Sequence, residues 1–197
     1  MPGISTLTGR IAVLPGNDID TDRIIPARFL SRVERAGYGE LLFADARKVA
    51  GFPLDEPLAR GATILVVGSN FGCGSSREHA VWALQQAGFV AVIARADDQA
   101  PGFSDIFRQN AANCGLLLVE LASVHHDNLV ALGTGSEVTV DLPVSRAGIA
   151  PFEIAASSKA ALLAGHDMIG TTLEHAGDIA AYESRQPNYA HTPGAER

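Results

Sequence analysis

The densest group of chemically capable side chains is the run Gly72-Cys73-Gly74-Ser75-Ser76-Arg77-Glu78-His79. Two neighbouring hydroxyls beside a permanent cation suit an anionic ligand, because a guanidinium forks onto a carboxylate and hydroxyls add hydrogen bonds. The glycines let the backbone turn tightly and let a ligand approach closely. If a helix starts here, its free N–H groups and positive dipole end add to the attraction for an anion. A second reading competes. Ser75-x-x-Glu78 has the spacing of a capping box, and such a serine then only satisfies backbone donors. The two coexist if Ser76 caps and Ser75 faces a site.

Other patterns fail on inspection. A phosphate-binding P-loop needs Gly-Lys-Ser/Thr, and the turn has no lysine. The nucleophile elbow needs Gly-x-Ser-x-Gly, which Gly74-Ser75-Ser76-Arg77 does not match. The full dinucleotide fingerprint is missing. Asp18, Asp20 and Asp22 resemble the start of a calcium loop, but Arg23 and Phe29 stand where glycine and glutamate are needed. Two readings of the three aspartates remain: a solvated face with an Asx-turn at Asp18, or Asp22 pointing into a site. The histidines show no His-Glu-x-x-His spacing and read as surface or structural residues. Cys73 lies near any ligand of the turn, or simply fills a tight bend.

The elements that must position the turn follow from apolar patterning. Residues 62–68 form a near-continuous apolar run, as in a strand buried on both faces. A helix is predicted over 77–87, ended by Gly88. Strands are predicted at 10–14, 89–94 and 115–121, with a helix at 104–113. This alternation implies a parallel sheet with crossover helices, hence an α/β fold. Residues 27–49 read as mainly helical, interrupted at Gly37-Tyr38-Gly39, and 51–61 as a loop. Residues 136–142 alternate like a half-buried strand, with 149–154 as its pairing partner. Helices at about 157–164 and 172–184 complete one domain over 1–185, and a frayed tail is expected over 186–197.

Several of these segments resemble one family, the small subunits of 3-isopropylmalate dehydratase in the aconitase superfamily. Asn17-Asp18-Ile19-Asp20-Thr21-Asp22-Arg23-Ile24-Ile25-Pro26-Ala27-Arg28-Phe29-Leu30 resembles its opening motif. Asn70 to Ala80 is similar to its second, Ser104-Asp105-Ile106-Phe107 with Asn110 to its third, and Ile169 to Glu183 to its C-terminal helix region. Arg35-Ala36-Gly37-Tyr38-Gly39 resembles the loop that bacterial members place near the substrate's variable group. The stretch between Arg47 and Gly61 is shorter than in many bacterial members. The resemblance implies a swivelling β/β/α domain, as in the aconitase C-terminal domain. It implies that Ser75 is the general base, that Ser76 and Arg77 bind a substrate carboxylate, and that Asp22 belongs to the active site. It also implies substrate selection around 32–39, with Arg35, Gly37 and Tyr38.

The chemistry is consistent with that assignment. Dehydrating a hydroxy-dicarboxylate needs a base, a carboxylate clamp and a Lewis acid for the leaving hydroxide. A serine serves as base only where its alkoxide is stabilised, as glycine-turn amides, a helix N-terminus and Arg77 could do. No metal-ligand cluster stands out, and Cys73 and Cys114 are too few for an iron–sulfur cluster. The resemblance assigns a [4Fe–4S] cluster to a large subunit, so the chain alone is expected to be inactive. The expected reaction is 2-isopropylmalate to 3-isopropylmalate in leucine biosynthesis. The alternatives are the same chemistry on homoaconitate, citramalate/citraconate or dimethylmalate, or a non-catalytic anion-binding module. A purely structural turn is the remaining rival, in which Ser75 only caps its helix.

Composition narrows the classes further. The 197 residues carry a net charge of −7, which argues against nucleic acid as the main partner. At 47% hydrophobic and 19% charged, the chain is not a disordered one. A chain of this length buries about 70% of its unfolded surface and needs no metal or disulfide to hold its core. There is no run of ~20 apolar residues to span a membrane, and Met1-Pro2-Gly3-Ile4-Ser5 does not read as a signal peptide. Two cysteines are no disulfide scaffold, so a reducing cytoplasmic location is expected.

Overall fold

The structure is a computed structural model and describes residues 3–31 and 34–186. Seven strands form one sheet: β1 (Thr6–Leu14), β2 (Ile64–Val67), β3 (Ala91–Ala96), β4 (Leu117–Ala122), β5 (Glu137–Asp141), β6 (Arg146–Ala147) and β7 (Ala150–Pro151). Their order is β4-β3-β2-β1-β5-β6-β7. Strands β1 to β4 pair in parallel, while β5 joins β1 antiparallel and β6 and β7 extend that edge.

The β2 sequence Ile-Leu-Val-Val is buried at every position, because a parallel strand is covered on both faces. Alternate residues therefore serve two cores. Ala12, Leu14, Leu65, Val67, Val92 and Ala94 face the helices α2 (Glu78–Gln86) and α3 (Asp105–Cys114). Ile11, Ile64, Val66, Ala91 and Ile93 face the other layer, which holds Leu129, Phe152 and Leu162. Helix α2 turns Ala80, Val81, Ala83 and Leu84 inward, the one-sided spacing that commits a helix to a core. Helix α3 begins at Ser104, whose hydroxyl caps the Phe107 N–H, and ends at Gly115 in the left-handed region.

Three expectations need correction. The described residues of 27–49 hold no α-helix; they form short 3-10 turns at Ala27–Phe29, Gly39–Leu41 and Ala46–Lys48. Left-handed backbone at Gly37 and Phe43 cuts the segment into pieces too short to sustain a helix. Ile24, Ile25, Leu42 and Phe43 are instead buried in the core shared with α2. Residues 149–154 do not pair with β5. Strand β6 takes that edge, and β7 folds back on β6 through Gly148 at φ +57. Pro151, which lacks an N–H, is tolerated on this outermost strand. The sequence reading also omitted α4 (Ser123–Leu132), whose His-His-Asp-Asn centre blurs its apolar face; it buries His126 and Leu129.

The last third adds α5 (Ala156–Ala164), α6 (Met168–Leu173) and α7 (Ala176–Glu183). The tail expectation over 186–197 lies, apart from Gln186, outside the described residues. Among the described residues, no helix is long and apolar enough to cross a membrane.

Candidate functional site

The loops leaving β1, β2 and β3 meet at the carboxyl edge of the parallel strands, where open α/β sheets place their ligand sites. Loop 68–77 lies in the middle and is tied on both sides by main-chain hydrogen bonds. Toward the β1 loop, Gly72 N–H donates to the Ile19 carbonyl at 2.8 Å and Thr21 N–H to the Cys73 carbonyl at 2.9 Å. Toward the β3 loop, Asn70 N–H donates to Pro101 at 2.8 Å and Phe71 N–H to Gly102 at 2.9 Å. Ser104 adds its hydroxyl to the Gly72 carbonyl at 2.6 Å. Side chains join the β1 and β2 loops as well. Asn17 Oδ1 accepts from Ser69 N–H at 3.0 Å, and Asn70 Nδ2 donates to Asp18 Oδ1 at 2.7 Å.

Glycine is required where these loops touch. Gly72 sits at φ +74, and a Cβ there would overlap the Phe107 ring. At Gly68 a Cβ would overlap the Asn17 side chain and the Gly16 carbonyl.

This scaffold presents Ser75 and Ser76 exposed at the tip, with Arg77 below them. Arg77 is the N-cap residue of α2, and no side chain caps that helix. The capping-box reading of Ser75 and Glu78 is therefore not realised, and the Ser75 hydroxyl is not committed to the helix. The Ser75 carbonyl accepts from the Thr21 hydroxyl at 3.1 Å, which pins the tip to α1 (Thr21–Ile24).

Asp22 lies on α1, where Asp20 caps the helix by accepting from the Arg23 N–H at 2.7 Å. Asp22 forms an ion pair with Arg77. Arg77's side chain is 16% exposed and Asp22's 53%, so the carboxylate reaches a half-sunken guanidinium from the solvent side. An incoming carboxylate would share or displace this contact. The three aspartates thus separate: Asp18 braces Asn70, Asp20 caps, and Asp22 meets Arg77.

The 34–38 segment packs on one face of α2. Arg35 stacks its guanidinium 4.1 Å from the Trp82 ring and stands 3.6 Å from Glu78 Oε1. Gly37 is at φ +81. Tyr38 is placed differently from the other candidates. Its ring is 0% exposed and edge-on to His79 at 5.3 Å and Trp82 at 5.8 Å. A cleft of about 800 Å3 opens beside this packing, lined by Arg35, Glu78, Trp82, Gln86, Cys114 and Met168 among others. The structure therefore gathers Ser75, Ser76, Arg77 and Asp22 at one point, with Arg35 one helix residue away through Glu78. Arg32 and Val33 of the expected selection region lie outside the described residues.

Titration follows the surroundings. Burial pushes the His79 imidazole below its usual value, against the Glu78 carboxylate and with help from Arg77 and Arg35. Burial, and then the Asp20 and Asp18 carboxylates, push the Cys73 thiol up. Cys114 is pushed up to about 12, by burial first and then by its hydrogen bond to Glu78. Among the described residues, no group of three or more His, Cys, Asp or Glu is placed to hold a metal ion.

The sequence reading missed Thr21 and Gln86. Thr21 carries no distinguishing local signal, because its partner is 54 positions away. Gln86 could have been found: Glu78, Trp82 and Gln86 fall at four-residue spacing on one helix face.

Residues 1–124 match the family model described as the aconitase C-terminal domain. Residues 168–189 match the model for the C-terminal domain of the 3-isopropylmalate dehydratase small subunit. A 3-isopropylmalate dehydratase small subunit of Chloroflexus aggregans is 45% identical over 206 aligned residues, covering 98% of both chains. One from Frankia casuarinae is 43% identical, covering 98% of this chain and 99% of the relative. The crystal structure of 3-isopropylmalate dehydratase from Methanocaldococcus jannaschii superposes with a TM-score of 0.66 at 27% identity, covering 90% of this chain and 99% of that one. With the aconitase-type model over most of its length and such identity from end to end, the chain belongs to the family of 3-isopropylmalate dehydratase small subunits.

Proposed function

We propose that the chain is the small subunit of a heteromeric hydro-lyase, which isomerises 2-isopropylmalate to 3-isopropylmalate by dehydration and rehydration in leucine biosynthesis. The observation that carries the reading is the exposed Ser75-Ser76 pair beside Arg77 and Asp22, on a turn braced at the carboxyl edge of the sheet. The relatives named for this reaction match along nearly the whole chain.

The residues divide the work. Arg77 and Ser76 hold one substrate carboxylate; the fork of Arg77 sets its plane. Ser75 Oγ takes the proton from the carbon next to that carboxylate, and hydroxide leaves the neighbouring carbon. Water returns in the opposite sense, Ser75 returning its proton. Asp22 holds the Arg77 guanidinium at the place where the carboxylate must arrive. Arg35 and the Gly37-Tyr38 segment shape the space for the variable side chain, Tyr38 by fixing the backbone from its buried ring.

The family implies a [4Fe–4S] cluster, which supplies a Lewis acid for the hydroxyl. The residues of this chain do not fit it. Such a cluster takes cysteine thiolates, whereas Cys114 is buried, donates to Glu78 and is pushed up to about 12. The reading assigns the cluster to a large-subunit partner, and the assembly to a reducing cytoplasm in which both thiols stay free.

The test is an anaerobic reconstitution with a cluster-loaded large subunit, following alkene absorbance with 2-isopropylmalate, citrate, homocitrate and citramalate. Activity is expected only in the mixture and highest with 2-isopropylmalate. Ser75→Ala is expected to lower kcat by about 10²–10⁴-fold, the range for a lost general base, with assembly and melting temperature unchanged because the hydroxyl caps nothing. Full activity of Ser75→Ala, or turnover by the chain alone, would overturn the reading.

A further inference from the structure

Side chains along one face of α2 hold the segment beginning at Arg35. Gln86 contributes both ends of its amide: Oε1 accepts from Tyr38 N–H at 2.8 Å, and Nε2 donates to the Arg35 carbonyl at 2.7 Å. Gly39 lies flush on the same turn of helix, where a Cβ would stand 2.6 Å from the Gln86 carbonyl. One turn earlier Trp82 carries the Arg35 guanidinium and the edge of Tyr38. One turn earlier again, Glu78 faces Arg35 at 3.6 Å. The same helix begins directly after Arg77. A rigid helix of nine residues therefore spans from the carboxylate clamp to the segment that shapes the variable pocket.

We propose that Gln86 is a positioning residue for substrate choice: its amide fixes the backbone of residues 35–38 on α2 and so sets where Arg35 stands relative to Ser75, Ser76 and Arg77. The inference rests on the reading of the Arg35–Tyr38 segment as the one that chooses the substrate. Gln86 touches no reacting group. A glutamine with both amide ends bound to main chain fixes two peptide groups of the segment at once, 35–36 and 37–38, which a single-point contact does not. Its loss frees the loop to sample other positions while the Ser75–Arg77 tip keeps its own main-chain ties to the β1 and β3 loops.

The experiment compares wild type, Gln86→Leu, Gln86→Glu and Arg35→Ala, each assembled with the large subunit. The kinetics use 2-isopropylmalate and its methyl analogue citramalate, and hydrogen exchange is read over residues 34–39 of the free chains. Gln86→Leu is expected to raise KM for 2-isopropylmalate by about tenfold, the scale of one or two net hydrogen bonds. It should narrow the preference over citramalate by a similar factor, leave kcat within about twofold, and speed exchange at 35–38. Gln86→Glu keeps the acceptor for Tyr38 N–H and should fall between wild type and Gln86→Leu. An equal fall in kcat for both substrates, or unchanged KM and preference, overturns the proposal. If Arg35→Ala also leaves the preference unchanged, the substrate-choice reading of the loop fails with it; if Arg35→Ala shifts it and Gln86→Leu does not, only the role of Gln86 fails. Should Gln86→Leu not fold, exchange and kinetics of Gln86→Glu decide alone, and wild-type behaviour in both overturns the proposal.

Discussion

Two segments carry the candidate site, and they are held by different means. The 68–77 turn is bound to its neighbours through main-chain hydrogen bonds to the β1 and β3 loops. The 34–38 segment is bound through the side chains of Glu78, Trp82 and Gln86. Main-chain ties do not depend on side-chain identity, so they survive substitution in the turn except where a Cβ would intrude, as at Gly68 and Gly72; the added side-chain ties of Asn17, Asn70, Ser104 and Thr21 do not. Side-chain ties can be altered one residue at a time. Under the proposed function, the turn would be the place of the chemistry and the 34–38 segment that of substrate choice, with α2 joining the two.

The comparison breaks most visibly at Gly72. Gly72→Ala forces a left-handed alanine against the Phe107 ring and is expected to cost about 3 kcal/mol, read as a lower urea midpoint. A neutral result would show that the turn is not rigidly seated. Next in size is Arg77→Lys. It keeps the charge but loses the fork, and should lower kcat/KM by about thirtyfold with normal assembly, since a lysine does not replace bidentate recognition. A loss equal to that of Arg77→Ala would sharpen the point, and no loss would remove Arg77 from carboxylate binding.

A smaller contrast concerns the thiols. Cys73 lies part-exposed in the turn, and Cys114 lies buried beside the α2 cleft. With Cys114 pushed up to about 12, an alkylating reagent at pH 8 should modify Cys73 faster by about tenfold or more, because the thiolate is the nucleophile. Peptide mapping after partial reaction reads the ratio; equal rates would mean that the packing of α3 on α2 opens readily.

The smallest effect is in pH. Burial holds the folded His79 below its ordinary value of about 6.5. The unfolded chain then binds the extra proton, so stability rises with pH across this window. The contribution is complete above the ordinary value and is lost as pH falls through the lowered one. His79→Phe, which keeps an aromatic ring beside Tyr38 and Trp82, should flatten the melting temperature between pH 5 and 7 relative to wild type. A slope that survives the substitution would assign the effect to another group.

Much of this arrangement was legible beforehand. The all-apolar β2 and the one-sided α2 announced a buried parallel strand and a crossover helix, with a glycine turn between them. The family motifs picked out Ser75, Ser76, Arg77 and Asp22. The 27–49 segment was misread because helical composition is a weak prior against left-handed positions such as Phe43, which only packing enforces. The β5–β6–β7 edge was misread because strand alternation names a face but not a neighbour.

The sequence by itself determined which segments are apolar on one side or both, where glycine permits a tight turn, and which residue types stand at the tip of that turn. These are local properties, set by side-chain chemistry and backbone sterics over a few positions. Only the tertiary structure decided the rest: Asp22 on Arg77, the Thr21 hydroxyl on the Ser75 carbonyl, and the Gln86 amide on Arg35 and Tyr38. Each of these joins residues about fifty positions apart, and such distances close only when the sheet brings its strand ends together and the loops above them bury their polar groups against one another.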